Sequence, residues 1–375
     1  LKLQKQKRNN IKSGRKDKTS LDGAYAVFAV NSVHSMNFNP NKIKKRLKYQ
    51  ALCLFILFTC SANDLNAQLL ANFTTTGQFE EQEFFSENFV KDVQVCINAP
   101  KYFNKTGETH LILFALPNGN SIEWTKGKKI KEGEDWHFDI QHIAAQTRFV
   151  RNLDKKNNYI IAYLMAAQKN WPTWKRMIPD SKNIIKKIVD SIAGMFGDYH
   201  PQIVLNGHSG GGSFIFGYLD VVERIPPHIE RIVFLDSDYG YEDSLHTNKI
   251  ANWLTENKKS KLVILAYNDS LVIFNGKPLV SPTGGTWYRS RLMQRKLAEK
   301  FSFTSKKDTS FILHTALKGR VRIILKENPR GLIYHTIQVE KNGFILSLLS
   351  DSKFDKRKYF SYFGERAYTD FINSE

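Results

Sequence analysis

Between residues 89 and 328 two apolar patterns alternate along the chain. Short β-branched runs read as strands: FVKDVQVCINAP (89–100), HLILFALPNGN (110–120), NYIIAYLMA (158–166), QIVLNGHS (202–209), RIVFLD (231–236), KLVILAYND (261–269) and VRIILKEN (321–328). Between them lie stretches with apolar residues three and four apart. In DSKNIIKKIVDSIAGMFG (180–197), Ile184, Ile185, Ile188, Val189, Ile192 and Phe196 share one helical face, and Asp180 is placed to cap it. GTWYRSRLMQRKLAEKF (285–301) also predicts a helix, as does GSFIFGYLDVV after residue 211. No internal repeat or long low-complexity linker interrupts the series.

Strands that are apolar almost throughout, separated by helices, predict a mostly parallel sheet covered on both faces, an α/β fold. In such sheets ligands meet the carboxyl ends of the strands, so the residues just after each strand are the candidates for chemistry.

The N-terminal region follows a different rule. Residues 1–35 carry eight Lys and Arg without apolar periodicity, and the first methionine is Met36. They are expected to be an upstream, disordered extension. KIKKRLK (42–48), ALCLFILFTCSA (51–62) and LNAQ (65–68) then give a charged segment, a short apolar segment and a small-residue cleavage site after Ala67. That is the pattern of a secretory signal peptide over 36–67, with an apolar stretch short of the ~20 residues of a spanning helix. The expectation is a single α/β domain over 68–375, secreted or periplasmic. Lipidation at Cys60 would instead make it membrane-anchored, although Phe58 and Thr59 suit that modification poorly.

Composition changes the picture in two places. Residues 1–67 hold 13 of the 55 Lys and Arg and three of the 36 Asp and Glu, so +10 of the formal +19 charge sits there. The remaining +9 suits solubility and steering, and without a nucleic-acid motif it implies no nucleic-acid partner. Of the three cysteines only Cys96 lies beyond the leader, so no intramolecular disulfide is expected after cleavage. Cys96 reads as a buried strand residue.

The chemistry concentrates in GHSGG (207–211). A run of strand pattern ends at Gly207-His208-Ser209-Gly210-Gly211, and a helix pattern follows. In G-x-S-x-G the tight strand-to-helix turn holds the serine in a strained conformation and exposes its hydroxyl. Side chains two positions before and after would collide, hence the glycines. In this context the chain resembles the α/β-hydrolase superfamily over roughly residues 90–350. The resemblance implies a nucleophile, an acid and a histidine in that chain order. Ser209 is the nucleophile. Asp269, ending KLVILAYND, is the acid by strand count, and Asp236 or Asp238, after RIVFLD, are the alternatives. His335 lies just beyond the last strand, where the family's loop histidine sits, while His314 falls before that strand and reads as packed. His208 is expected to pack beside the nucleophile. The resemblance also implies an oxyanion hole from the Gly210 amide and one of Asn118, Gly119 or Asn120. LPNGN lacks the common His-Gly form of that loop.

Other features carry less. EDWHFDIQHIAAQTRFVR (134–151) clusters His137, Asp139, His142, Gln146, Arg148 and Arg151. The segment reads as surface near the site's mouth, with Arg148 or Arg151 as anion contacts; a metal reading needs convergent geometry that spacing alone does not supply. Trp171 and Trp174 are placed to line a substrate cleft or to cover the core. FNGKPLVSPTGGT (274–286) suits a cleft rim. No phosphate loop, dinucleotide fingerprint or zinc spacing occurs, so no cofactor is implied. The expected activity is hydrolysis of a small-molecule or polymer carboxylic ester through an acyl-enzyme. Peptidase or amidase action on the same fold, or a non-catalytic binding protein that retains it, are the alternatives.

Overall fold

The computed structural model describes residues 69–130 and 141–373. Its strands are β1 (Thr74–Thr76), β2 (Glu81–Ser86), β3 (Val93–Pro100), β4 (Thr109–Ala115), β5 (Asn158–Ala166), β6 (Gln202–His208), β7 (Ile229–Leu235), β8 (Lys261–Tyr267), β9 (Ile273–Phe274), β10 (Lys277–Pro278), β11 (Phe303–Lys307), β12 (Phe311–Ala316) and β13 (Val321–Lys326). Eleven of them form one sheet in the order β1-β2-β3-β5-β4-β6-β7-β8-β13-β12-β11. From β5 to β13 the neighbours are parallel. The β1-β2-β3 meander at one edge and the β11-β12 hairpin at the other pair antiparallel. β9 and β10 make a separate small hairpin.

Alternation along the strands sorts the core into two layers. On β4, Leu111, Leu113 and Ala115 face one layer and Ile112 and Phe114 the other. The first layer packs under the helices Trp171–Met177, Ser181–Gly194, Gly212–Val221, Asp243–Glu256 and Thr286–Ala298. The second packs under Ile143–Leu153 and Gly343–Leu349. β5 is buried along all nine residues, as expected of a central strand covered on both sides. A parallel sheet entered through an antiparallel strand, with β4 crossing behind β5, is the α/β-hydrolase fold.

Some sequence expectations change here and others hold. Asp180 sits at the helix N-cap position, but its side chain accepts from Asn183 Nδ2 and caps no backbone amide. The segment expected on the surface contains a largely buried helix, Ile143–Leu153. His314 lies on β12, its Nδ1 bonded to the Ser305 hydroxyl across the hairpin. Cys96 is buried on β3, and burial pushes its thiol up to about 12. Residues 1–68, with the extension, leader and Cys60, lie outside the described residues, as do His137 and Asp139.

Candidate active site

β6 runs into a tight turn and then the helix Gly212–Val221, and Ser209 occupies the bend with φ +55°. A serine gains nothing locally from the left-handed region, so the surrounding packing must hold it there. That packing is close. A Cβ on Gly207 would lie 2.9 Å from the Gly211 carbonyl carbon, and one on Gly210 would overlap the Asn118 side chain. The Ser237 hydroxyl donates to the Gly207 carbonyl at 2.9 Å and ties the end of β7 to the bend.

His335 sits on the loop after β13. Its ring lies 4.6 Å, centroid to centroid, from that of His208, the residue preceding Ser209. A carbonyl can only accept, so the 3.0 Å contact means that His208 Nε2–H donates to the His335 carbonyl. Burial, with His335 nearby, drives the His208 pKa far down, so its ring is a neutral brace between the histidine loop and the serine turn.

Three carboxyl groups reach this region, and they are placed very differently. Asp236 follows β7 with φ +48°, which turns its side chain toward His335; Oδ2 lies 2.5 Å from His335 Nδ1. Asp236 is fully shielded while the His335 side chain is 27% exposed. The carboxylate therefore fixes Nδ1 as the protonated nitrogen and leaves Nε2 free to work. Asp269, the acid expected by strand count, is turned the other way. Its Oδ2 accepts from the Thr286 amide at 2.9 Å, at the start of the helix Thr286–Ala298. Burial, with Asp236 close by, raises its pKa to about 6. Asp238 is fully buried and accepts from the Ser290 hydroxyl at 2.8 Å; burial raises it to about 8. Asp236 is thus the carboxyl on the histidine, and Asp269 and Asp238 lie behind it.

Thr286 links the two layers of acid. Its hydroxyl is 2.5 Å from Asp236 Oδ1 and 3.4 Å from Asp269 Oδ2. One hydroxyl hydrogen serves the nearer oxygen, so Thr286 donates to Asp236 and holds the oxygen that does not face the histidine. Sequence reasoning gave Thr286 no individual role, only a place at the end of the 274–286 segment expected to shape the cleft rim. Its only signal was a threonine opening a helix, which ordinarily reads as a cap.

The oxyanion candidates divide as well. The Gly119 amide donates to the Lys169 carbonyl at 2.8 Å, and that of Asn120 to Pro117 at 3.4 Å. The Asn118 amide has no backbone acceptor among the described residues, and its side chain lies against Gly210. Gly210 is the second residue of the helical turn Ser209–Gly211, where amides lack an intrahelical partner. Asn118 and Gly210 are accordingly the two candidates whose amides have no backbone acceptor among the described residues.

The proposed substrate contacts are located elsewhere. Trp171 and Trp174 are each 1% exposed, pack edge-on at 5.4 Å, and donate their indole N–H groups to the Leu164 and Lys91 carbonyls. They are core. Arg148 is buried against Glu81 at 2.7 Å, and Arg151 also pairs with Glu81 at 2.7 Å. Both lie toward the amino end of β5, where Arg151 donates to the Tyr159 carbonyl. His142 is buried and its pKa falls to about 4 through desolvation, with Arg366 adding to the effect. Among the described residues no group of three His, Cys, Asp or Glu is arranged to hold a metal ion.

No family model and no curated protein matches this chain. Solved structures similar to it include a thermostable esterase, at 13% identity over 75% of this chain and 64% of the other, with a TM-score of 0.43. A poly(aspartic acid) hydrolase-1 from Sphingomonas sp. KT-1 aligns at 14% identity over 71% of this chain and 97% of the other, with a TM-score of 0.40. An acylaminoacyl peptidase from Pyrococcus horikoshii aligns at 10% identity over 80% of this chain and 44% of its own, with a TM-score of 0.37. The chain thus spans under two thirds of the length of the esterase and under half that of the peptidase.

Proposed function

We propose that the chain is an exported serine hydrolase that cleaves a carboxylic ester through an acyl-enzyme. Ser209 Oγ attacks the carbonyl carbon, His335 Nε2 takes its proton, and the carbonyl electron pair moves to oxygen. The Asn118 and Gly210 amides face that oxyanion. Collapse of the intermediate expels the alcohol with the proton returned by His335, and water then repeats the sequence on the acyl-serine. Asp236 holds the imidazole tautomer and offsets the imidazolium charge. Asp269 serves as a buried anchor for Thr286 rather than as the triad acid.

The observation that carries this reading is the conjunction of a strained serine at φ +55° with a histidine loop braced against it and bonded to a shielded carboxylate. A structural turn has no need of either. Ester cleavage is preferred to amide cleavage because an alcohol leaves more readily than an amine and asks less of the same serine and histidine. Export rests on the leader-like pattern of residues 36–67.

The test is labelling with a fluorophosphonate and mapping of the adduct by mass spectrometry. Label should fall on Ser209, and both label and ester turnover should be lost in Ser209→Ala and His335→Ala, with turnover reduced by roughly 10⁴–10⁶-fold. A folded protein that takes no label would exclude the mechanism and favour a binding protein on the same fold.

A further inference from the structure

Six of the twelve large apolar side chains that are strongly exposed among the described residues fall in two short segments: Leu271, Ile273, Phe274 and Leu279 in one, Leu332 and Ile333 in the other. Scattered exposed apolar residues need no explanation, but a cluster does. The segments are adjacent. The Leu271 carbonyl lies 2.8 Å from where a Cβ on Gly331 would be. Asn328 clamps them, its Nδ2 donating to the Asn268 and Leu332 carbonyls at 3.0 and 2.7 Å while its Oδ1 accepts from the Leu332 amide at 2.9 Å. The first segment follows Asp269 directly and the second precedes His335 by two residues, so the cluster borders the proposed active site.

Its tip is a short exposed hairpin. β9 and β10 pair Phe274 with Lys277 and Ile273 with Pro278 around Asn275 and Gly276, whose φ values of +49° and +76° are those of a tight hairpin turn. Ile273 and Phe274 are 61% and 53% exposed on it. An exposed apolar hairpin of this kind can enter an apolar phase. Lys277 and Arg330 are exposed at the cluster, residues 270–279 and 328–334 contain no Asp or Glu, and of the flanking acids Asp269 is buried and Glu327 is paired with Lys307.

We propose that this cationic apolar hairpin docks the protein on an anionic lipid surface, with Ile273 and Phe274 entering the acyl boundary and Lys277 and Arg330 meeting the head groups. The carboxyl edge of the sheet then faces the lipid. The docking is independent of the hydrolase chemistry and goes beyond it.

Hydrogen-exchange mass spectrometry on the full chain tests this directly, with vesicles of phosphatidylglycerol and phosphatidylcholine against phosphatidylcholine alone. Exchange in 272–279 and 331–334 should slow only with the anionic vesicles, and high salt should weaken the effect. Replacing both apolar tip residues, Ile273→Ser with Phe274→Ser, should lower vesicle partitioning at least about tenfold, and Lys277→Ala about fivefold. These side chains are exposed, so both variants should keep the wild-type melting temperature. Unchanged exchange in the two segments overturns the proposal, including when the chain sediments with vesicles through residues 42–62. Protection without lipid that vanishes on dilution also overturns it, in favour of a contact between copies. Fluorophosphonate labelling of Ser209 is read separately, so the hydrolase reading and the docking can each fail alone.

Discussion

Two buried charge clusters sit toward opposite ends of the sheet, and they are built on opposite principles. Toward the amino end of β5, Glu81 is flanked by Arg148 and Arg151, with Asn98 and the Phe371 carbonyl taking further guanidinium bonds. Burial pushes the Glu81 carboxyl up, but the two arginines and their hydrogen bonds outweigh it and hold the group below its usual range. Every charge there has an opposite partner, and the hydrogen-bonding groups are engaged. A cavity of about 350 Å³ opens beside it, lined by Phe79, Tyr102, Lys155 and Tyr159. At the carboxyl end, Asp236, Asp238 and Asp269 converge, and among the described residues His335 is the one basic side chain in direct contact with them. Among the described residues Asp238 Oδ1 and Asp269 Oδ1 are buried without a hydrogen-bond partner. A matched cluster stabilises a fold or is neutral to it; an unmatched one disfavours its own ionisation and is tolerated where it orients a working group.

The comparison breaks most sharply at the carboxyls themselves. Asp236→Asn should reduce ester turnover by about 10⁴-fold, since an amide no longer specifies the imidazole tautomer, whereas Asp269→Asn should reduce it by no more than about tenfold. Steady-state kinetics on the two variants decides between the acids, and the reverse order would make Asp269 the triad acid. At the other end, Arg148→Ala should lower stability by about 3 kcal/mol in urea titrations and leave kcat within about twofold. A large loss of turnover at wild-type stability would mean that the matched cluster serves the chemistry after all.

The third test uses pH. Asp238 and Asp269 have folded-state pKa values raised to about 8 and about 6, above the ordinary carboxyl value of 3.8. In that window the folded chain holds more protons than the unfolded chain, so stability is greatest below about pH 4 for these groups and falls as pH rises. The Asp269 contribution is lost by about pH 6 and that of Asp238 by about pH 8. Asp238→Asn should flatten the fall between pH 6 and 8, measured by urea denaturation at each pH. An equal slope in wild type and variant would show that Asp238 is ionised throughout. The smallest effect belongs to Thr286. Thr286→Val removes the hydroxyl on Asp236 Oδ1 and should lower kcat about tenfold at unchanged KM, with Thr286→Ser restoring most of it. Equal losses in both variants would trace the effect to packing of the methyl group.

Much of this architecture is legible along the chain because local rules enforce it. The apolar β-branched runs became β3 to β8 and β13, and alternation alone assigns Leu111 and Ile112 to opposite layers. The G-x-S-x-G pattern is legible for a steric reason: a Cβ on Gly207 would meet the Gly211 backbone within the same turn, and one on Gly211 would meet the Ala115 carbonyl at the end of β4. The edge strands β1, β2, β11 and β12 were not legible, since half-exposed edges lack the continuous apolar signal.

What the sequence determined by itself was the kind of sheet, the turn that presents Ser209, and the loop that carries His335. Which aspartate meets that histidine was decided only by the tertiary structure. Asp236 and Asp269 each end an apolar strand, and nothing local separates them. They differ because the backbone at Asp236 turns left-handed toward His335, while Asp269 faces the amides of the helix at Thr286, 17 residues away in the chain. The same holds for Trp171, Trp174 and Arg148. An indole or a guanidinium carries no mark of whether it will line a cleft or lie under a helix, because burial is a property of what the rest of the chain packs against it.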